Sequence, residues 1–493
     1  MLYWDKLLIP LRFRTAATVA PSRSDNRSPF KKDFDTVCNS TILRRLQDKA
    51  QVFPLEKEDY ARTRLTHSIE VMSVAESLGM QASNIIMESY RDHLSKEPDK
   101  YDESELKQIE DHIRNIPMIL GTAALLHDMG NPPFGHLGEQ IIGDWFQNNL
   151  PKLTQRADGK YVVQDGGAAQ STLAYKLKGS YAQDLTHFEG NAQLLRLVTK
   201  LNYVVDDNGM NLTFPVIATF IKYPCPSTEL DKDNLSTKKV GYFTAEADKY
   251  REIASQLGLN RCRHPLTFLL EAADDIAYLT ADIEDAHKKG IISLSCLETY
   301  LKKHEEDAVV SSVLQEIGRY KEIGDNNHYP NIDDYVIRRI RIFIKGIMID
   351  AMYDAFSDCY EEIMEGKCES ELIARSKVAL LASILRRIEK DKIYYCDSIV
   401  ENKTRAFRII HSLLDAYVPA VLNYKKADEE KDSSEHILYM SLSENYRYIC
   451  EKVNQTSQDE SFQLYNRLLL VTDQISGMTD SKAMTIYQMI SAI

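Results

Sequence analysis

Beyond residue 290 the chain runs for about 200 residues with two prolines, Pro330 and Pro419, and five glycines. Proline removes a helix donor and glycine loses the most freedom on ordering, so their scarcity leaves long helices joined by short links. Earlier segments keep the same period. Ile69, Met72, Val74, Ala75 and Leu78 follow helical spacing between Thr66 and Tyr90, with Thr63 or Thr66 as the starting cap. Pro117 to Met129 is apolar enough for the centre of a core, and Pro265 to Lys288 reads as one long helix. TILRRLQDKAQVF is expected to be helical up to Pro54, and residues 91–112 to be a solvated helix face. Residues 152–185 read as loops with short helices, and Pro224 to Gly241 as an exposed loop. NYVVDDNGMNLTF, Asn202 to Phe214, carries a hairpin signal in its Asp-Asn-Gly turn. The expected fold is mainly α with a small β-hairpin. Residues 1–40 would form an arm with little regular structure, 41–290 a core with inserted loops, and 291–493 a helical C-terminal region packed on it.

Composition narrows the function classes. Hydrophobic residues at 44% and charged residues at 27% suit a globular chain with a large core. No run of 18 apolar residues offers a membrane span, and MLYWDKLLIPLRF lacks the layout of a secretory signal. Eight scattered cysteines with no CxxC pair point to a reducing cytosol, hence a cytoplasmic location. The net charge of −13 excludes a constitutive coat on duplex DNA, because phosphate neutralisation supplies most non-specific affinity. Anionic nucleotides would have to be gripped by locally concentrated Lys and Arg.

The chemistry concentrates in LLHDMGNPPFGHLGE, Leu125 to Glu139. His127 and Asp128 end the apolar helix, and adjacent side chains on an ideal helix diverge. Gly130 and Pro132-Pro133 supply a bend that could bring them together. His136 and Glu139, at i and i+3 on the next helix, share a face. His67 alone is more often a satisfied core or surface residue. Asp274 and Asp275 lie in an apolar helical stretch, where a carboxylate is costly to desolvate without a cation or partner. A solvated helix edge is the competing reading, and for Asp275 it stands at least as well. Two imidazoles with two carboxylates suit Mn²⁺ or Mg²⁺ better than a thiolate-seeking zinc site.

Taken in order, His67, His127-Asp128 and Asp274, with gaps of 60 and about 146 residues, resemble the HD metal-dependent phosphohydrolase superfamily. NRSPFKKDFD, RRLQDKAQVFPLE, RTRLTHSIEV, HDMGNPPFGHLGE, HFEGNAQ, IKYP, EAADDIAY and ISGMTD resemble successive motifs of the bacterial deoxyguanosine triphosphate triphosphohydrolases, over about residues 26 to 480. The resemblance implies an HD-domain helical fold with a helical C-terminal extension, with residues 41–290 as its catalytic core. The implied reaction hydrolyses dGTP to deoxyguanosine and tripolyphosphate and so controls deoxynucleotide pools. It makes His67, His127, Asp128 and Asp274 the ligands of a divalent Mg²⁺ or Mn²⁺, and His136 and Glu139 the catalytic pair. Arg64, Lys222, Tyr223 and Asn191 would hold the triphosphate. Gln51 would touch the sugar hydroxyl, and Tyr278 would stack on the sugar with Asp282 beyond it on the same helix face. Without the resemblance, Tyr278 reads better as a core aromatic.

The family also implies a homo-oligomer, a hexamer by analogy, with single-stranded DNA or a dNTP effector as a further partner and no membrane. Two other readings fit the same residues. One is a broader dNTP triphosphohydrolase, and the other a nucleotide- or single-stranded-DNA-binding regulator with a vestigial HD site.

Overall fold

The computed structural model describes residues 1–14, 25–55, 60–96, 101–164, 166, 168–202, 207–424 and 433–491. Ten helices position the site: α1 (Arg64–Lys96), α2 (Ile116–Leu126), α3 (Gly135–Asn149), α4 (Gly190–Arg196), α5 (Pro265–Lys288), α6 (Ile332–Asp358), α7 (Ala379–Ile388), α8 (Asp397–Asn423), α9 (Glu460–Ser476) and α10 (Asp480–Ser491). The fold is mainly α. Among the described residues the one sheet is a two-stranded antiparallel pair, β1 (Leu153–Gln155) and β2 (Tyr161–Val163).

At the centre α2 packs along α1, and α5 packs on α1 and on α6. Nearly all of α2 from Ile119 onward is buried, as its unbroken apolar run requires. The N-terminus of α1 is set by reciprocal bonds in which Thr66 N donates to Thr63 Oγ1 and Thr63 N to Thr66 Oγ1. Helix α5 starts at the expected Pro265, where the His264 ring accepts from Leu266 N. On the other side, α8 packs against α3, α9 and α10.

Several expectations are corrected. Residues 1–40 contain helices at Trp4–Leu7 and Pro29–Cys38; the second starts on a Ser28 cap followed by proline and packs on α2. The stretch after Thr41 is helical only over Thr41–Arg45, tightens into a turn over Leu46–Asp48, and then pairs Ala50 with Thr63. The segment 91–112 is not one helix face: α1 runs on to Lys96, and a new helix Glu103–Arg114 starts on the Asp102–Glu105 capping box. The hairpin lies at 153–163, turning through Asp158 and Gly159, where Gly159 has φ +84°. Tyr203 to Asp206 of the expected hairpin lie outside the described residues, and 207–213 form a turn and a loop leading into the helix Phe214–Phe220. The 224–241 loop is irregular, yet its ends are buried at Cys225 and Val240, joined by Gly241 N donating to Cys225 O.

One buried ionic group ties α4 to α9. Arg196, 1% exposed, donates to Asp473 Oδ1 and Oδ2 at 2.7 Å and to Glu246 Oε1 at 2.8 Å. Removing one member of such a buried set leaves uncompensated charge, at a cost of about 3–5 kcal/mol. Arg196→Met is therefore expected to lower unfolding free energy by about that amount in urea titrations. An unchanged midpoint would show that the network contributes nothing net.

Candidate active site

Three elements converge where α2 ends. His127 is the C-cap of α2, and its Nδ1 lies 2.7 Å from Ala124 O, so that nitrogen carries the proton. The lone pair of Nε2 then points away from the helix, 3.5 Å from Asp274 Oδ1 and 3.6 Å from Asp128 Oδ2. His67, one turn into α1, brings Nε2 to 3.2 Å from the same Asp274 oxygen. Ligand atoms of His67, His127 and Asp274 all lie within 4.8 Å of one another and could hold a metal ion. His127 Nε2 is buried without a hydrogen-bond partner, as a ligating nitrogen oriented from behind by a carbonyl should be. The donor set suits a divalent cation.

Asp128 borders this group, but its side chain is turned toward cations and amides. Its Oδ2 accepts from Arg64 at 2.7 Å and its Oδ1 from Asn131 Nδ2 at 2.6 Å. Burial opposes the charge of Asp128, yet Arg64 and His127 hold its carboxyl well below the usual range. Asp274 is likewise kept ionised against burial, by Lys222, whose Nζ donates to Oδ2 at 2.8 Å, and by His127. Burial also opposes the raised pKa of His127, which the carboxylates of Asp128 and Asp274 produce. Each carboxylate thus carries its own cation, Arg64 on Asp128 and Lys222 on Asp274.

The chain turns sharply after Asp128. Gly130 and Gly190 come so close that a Cβ on Gly130 would lie 2.0 Å from Gly190 O, and one on Gly190 2.2 Å from Asn131 Oδ1. Only glycine fits either position. Gly190 N donates to Glu139 Oε1 at 2.8 Å, and Glu139 Oε2 meets His136 Nδ1 at the same distance. Glu139 is buried, whereas the His136 side chain is 75% exposed, so a fixed carboxylate aims an accessible imidazole. Glu139 is the largest influence on His136 and raises its pKa; Lys239 and Arg64 act the other way. Arg64 Nη2 lies where a Cβ on Gly135 would be, linking the start of α3 to Asp128.

The remaining expected residues are less concentrated. Asn191 follows Gly190 in the first turn of α4 and is half-buried. Tyr223 is buried, with Lys238 and Arg263 over its ring. Gln51 lies just past the Ala50–Thr63 pairing, and its Oε1 is buried without a partner. Tyr278, one turn beyond Asp274, accepts from Arg386 Nε at 3.1 Å. Asp282, a further turn on, is buried with Oδ1 unpartnered.

Asp275 does not lie on a solvated edge. It is buried, bonded to Arg386 Nη2 at 3.1 Å, and burial pushes its carboxyl up to about 7. Arg386 and Glu389, on α7 and the turn after it, escaped the sequence reading. Their only signal is charge on the inner side of the amphipathic ALLASILRRIEK. Burial raises the carboxyls of both Glu389 and Asp282; the charge of Asp282 adds to the shift of Glu389, and that of Asp285 to the shift of Asp282.

No family model matches the chain. It is 38% identical over 493 residues to a deoxyguanosinetriphosphate triphosphohydrolase-like protein of Listeria innocua, covering 99% of both chains. The chain belongs to the deoxyguanosinetriphosphate triphosphohydrolase family. A like-named protein of Synechocystis sp. is 30% identical over 503 residues, again with 99% of each chain covered. The deoxyguanosinetriphosphate triphosphohydrolase of Yersinia enterocolitica is 29% identical over 494 residues, 94% of each. Within this family member no described helix is long and apolar enough to cross a membrane.

The buried carboxyls give a stability signature. Asp275, Asp282 and Glu389 have folded pKa values raised above their unfolded ones. The protonated form is the favoured one, so their stabilisation is complete in acid and is lost as pH rises through the raised values. The melting temperature should therefore fall from about pH 4, where unfolded carboxyls ionise, up to about pH 9, and less steeply in Glu389→Gln, which cannot ionise. Parallel slopes for variant and wild type would refute the assignment.

Proposed function

We propose that the protein hydrolyses dGTP to deoxyguanosine and tripolyphosphate in a metal-dependent reaction, and so takes part in the control of deoxynucleotide pools. The observation that carries this reading is the Glu139-oriented His136 together with the partly buried His67–His127–Asp274 group, in a chain 38% identical to a triphosphohydrolase-like relative over its full length. His67, His127, Asp128 and Asp274 would hold Mg²⁺ or Mn²⁺, in a cytoplasmic enzyme built as a homo-oligomer around the core 41–290. When bound, the ion would polarise the α-phosphate and lower the pKa of water.

The residues of the chain do the rest. Arg64 and Lys222 are already aligned with the carboxylates, and Asn191 and Tyr223 complete the surround of the β- and γ-phosphates. Tyr278 packs against the deoxyribose, and Gln51 and Asp282 supply polar groups to its hydroxyl. Glu139 fixes the proton of His136 on Nδ1 and stabilises the imidazolium, from which Nε2 delivers a proton to the departing 5′-oxygen. Water attacks Pα, the Pα–O5′ bond breaks, and the triphosphate tail leaves intact. A broader dNTP triphosphohydrolase would use the same atoms and differ only around the base.

Incubation with each dNTP in Mn²⁺ or Mg²⁺ should yield deoxyguanosine and tripolyphosphate from dGTP, with no early dGMP. In ¹⁸O-water the label should enter the tripolyphosphate group that was Pα and never the deoxyguanosine. Accumulation of dGMP with pyrophosphate would mean that the opposite bond breaks.

His136→Ala should retain metal, by elemental analysis, and lose about 10²–10⁴-fold in kcat. The general acid must be protonated, and Glu139 raises its pKa while Lys239 and Arg64 oppose that shift. Turnover should thus persist past the ordinary imidazole value and fall as pH rises through the raised one. In Glu139→Gln that fall should move to lower pH. A pH profile unmoved by Glu139→Gln would remove His136 from the role.

A further inference from the structure

The corner that aims His136 is held from the far end of the chain. Phe134, the N-cap of α3, adopts φ 64° and ψ 14°, and Gly135 follows at φ +60°. Two successive left-handed residues, the first bulky and without the freedom of glycine, persist only where surrounding contacts over-determine them. The Phe134 amide donates to Asp480 Oδ1 at 3.0 Å. The other oxygen of the same carboxylate accepts from Ala50 N, also at 3.0 Å. Asp480 is 2% exposed and opens α10 immediately after the α9–α10 turn.

A second bridge runs beside the first. Lys49, 3% exposed, donates from Nζ to Asn131 O at 2.6 Å and to Ser476 O at 2.7 Å. The carbonyl of Lys49 accepts from Arg64 N at 2.8 Å, and Ala50 pairs with Thr63. Three pieces of chain thus meet on two buried side chains: the Lys49–Ala50 segment, which pairs with Thr63 just before α1, the 131–134 bend, and the turn between α9 and α10. Asn131 also donates to Asp128, and α1 carries Arg64 and His67. The Lys49 and Asp480 side chains bond backbone groups on either side of the bend, and in the described contacts neither touches the His–Asp group.

We propose that Asp480 and Lys49 are positioning residues which clamp the left-handed Phe134–Gly135 corner to the α9–α10 turn, so that α3 presents His136 at a fixed place relative to the His67–His127–Asp274 group. The catalytic consequence rests on the function proposed above, whereas the clamp itself does not. A reacting group displaced by about 1 Å can cost about 10²-fold in rate while binding is little changed. Asp480→Asn keeps the shape of the side chain but offers one acceptor oxygen where two amides donate, so either Phe134 N–H or Ala50 N–H loses its partner. Lys49→Met keeps length and removes both donated bonds.

The test uses the full-length protein and two independent readouts. Amide hydrogen exchange should accelerate over residues 130–137 in Asp480→Asn and in Lys49→Met, with exchange in α5 unchanged. Turnover of dGTP should fall by about 10–100-fold in kcat, with KM within about twofold and bound metal equal to wild type by elemental analysis. The exposed neighbour Ser481→Ala should match wild type in both readouts. Unaltered exchange at 130–137 in either soluble variant overturns the clamp, whatever the activity. Accelerated exchange with normal kcat overturns its positioning role. Should the wild-type protein not hydrolyse dGTP, the functional reading fails, and the exchange measurement alone decides the clamp. If Asp480→Asn does not fold, Lys49→Met carries the same test.

Discussion

Placing the buried Asp128 and the partly buried Asp274 beside two imidazoles sets the demand that the surrounding structure meets. An isolated carboxylate in such a place would take up a proton, because desolvation disfavours its charge. Arg64 on Asp128 and Lys222 on Asp274, at 2.7 and 2.8 Å, keep both ionised. These cations come from different segments, the first residue of α1 and the loop after the helix Phe214–Phe220. Holding the charges together therefore requires α1, α2, α5 and that loop to be docked in one arrangement, and the apolar length of α2 makes their common core. The site and the fold are solved by the same packing.

The same demand explains the sharp corner after α2. A helix that delivers His127 and Asp128 from its end cannot also carry His136 toward them without reversing direction. The reversal passes through contacts that exclude a side chain at Gly130 and Gly190, and through a left-handed residue at Phe134. Gly190 returns a backbone amide to Glu139, so the close approach that demands glycine also orients the carboxylate that meets His136. Steric constraint and hydrogen bonding here act on the same atoms.

Much of this was legible in the sequence, and the reasons for success and failure are physical. Helices α1, α2 and α5 announced themselves through apolar period and caps, and the His-Asp corner through four ionisable groups around a proline bend. The family motifs pointed to His67 and Asp274, which spacing alone did not. The hairpin was misplaced because an Asp-Asn-Gly turn signals local geometry only, and pairing needs two flanks free to lie together. The chain offers them around Asp158-Gly159 and, past residue 206, turns toward a helix instead. Asp275 was misjudged because its partner, Arg386, is 111 residues away, and no local pattern reports such a distance. Ser28-Pro29 was a readable helix start, overshadowed by the polar residues before it.

The C-terminal helices are more than a cover on the core. Asp473 on α9 balances Arg196 on α4, the helix whose first residue binds Glu139, and Tyr465 on α9 donates to Asp184 at 2.5 Å. Asp184 in turn accepts from Ser227 Oγ and Thr244 N, in the segment after the loop that carries Lys222 and Tyr223. The Arg196–Asp473 and Tyr465–Asp184 bonds cross from the last third of the chain to helices in its first half. Their partners are buried charges, whose separation would leave an unpaired ion or acceptor in the interior, at a cost that grows with burial. Loosening α9 would therefore be felt at Glu139, through α4, and at the bend after α2, through the bond of Lys49 to Ser476 O. The long helical tail that the sparse prolines first announced is thus tied to Glu139 through buried charge on α4, and to the bend after Asp128 through Lys49 and Asp480.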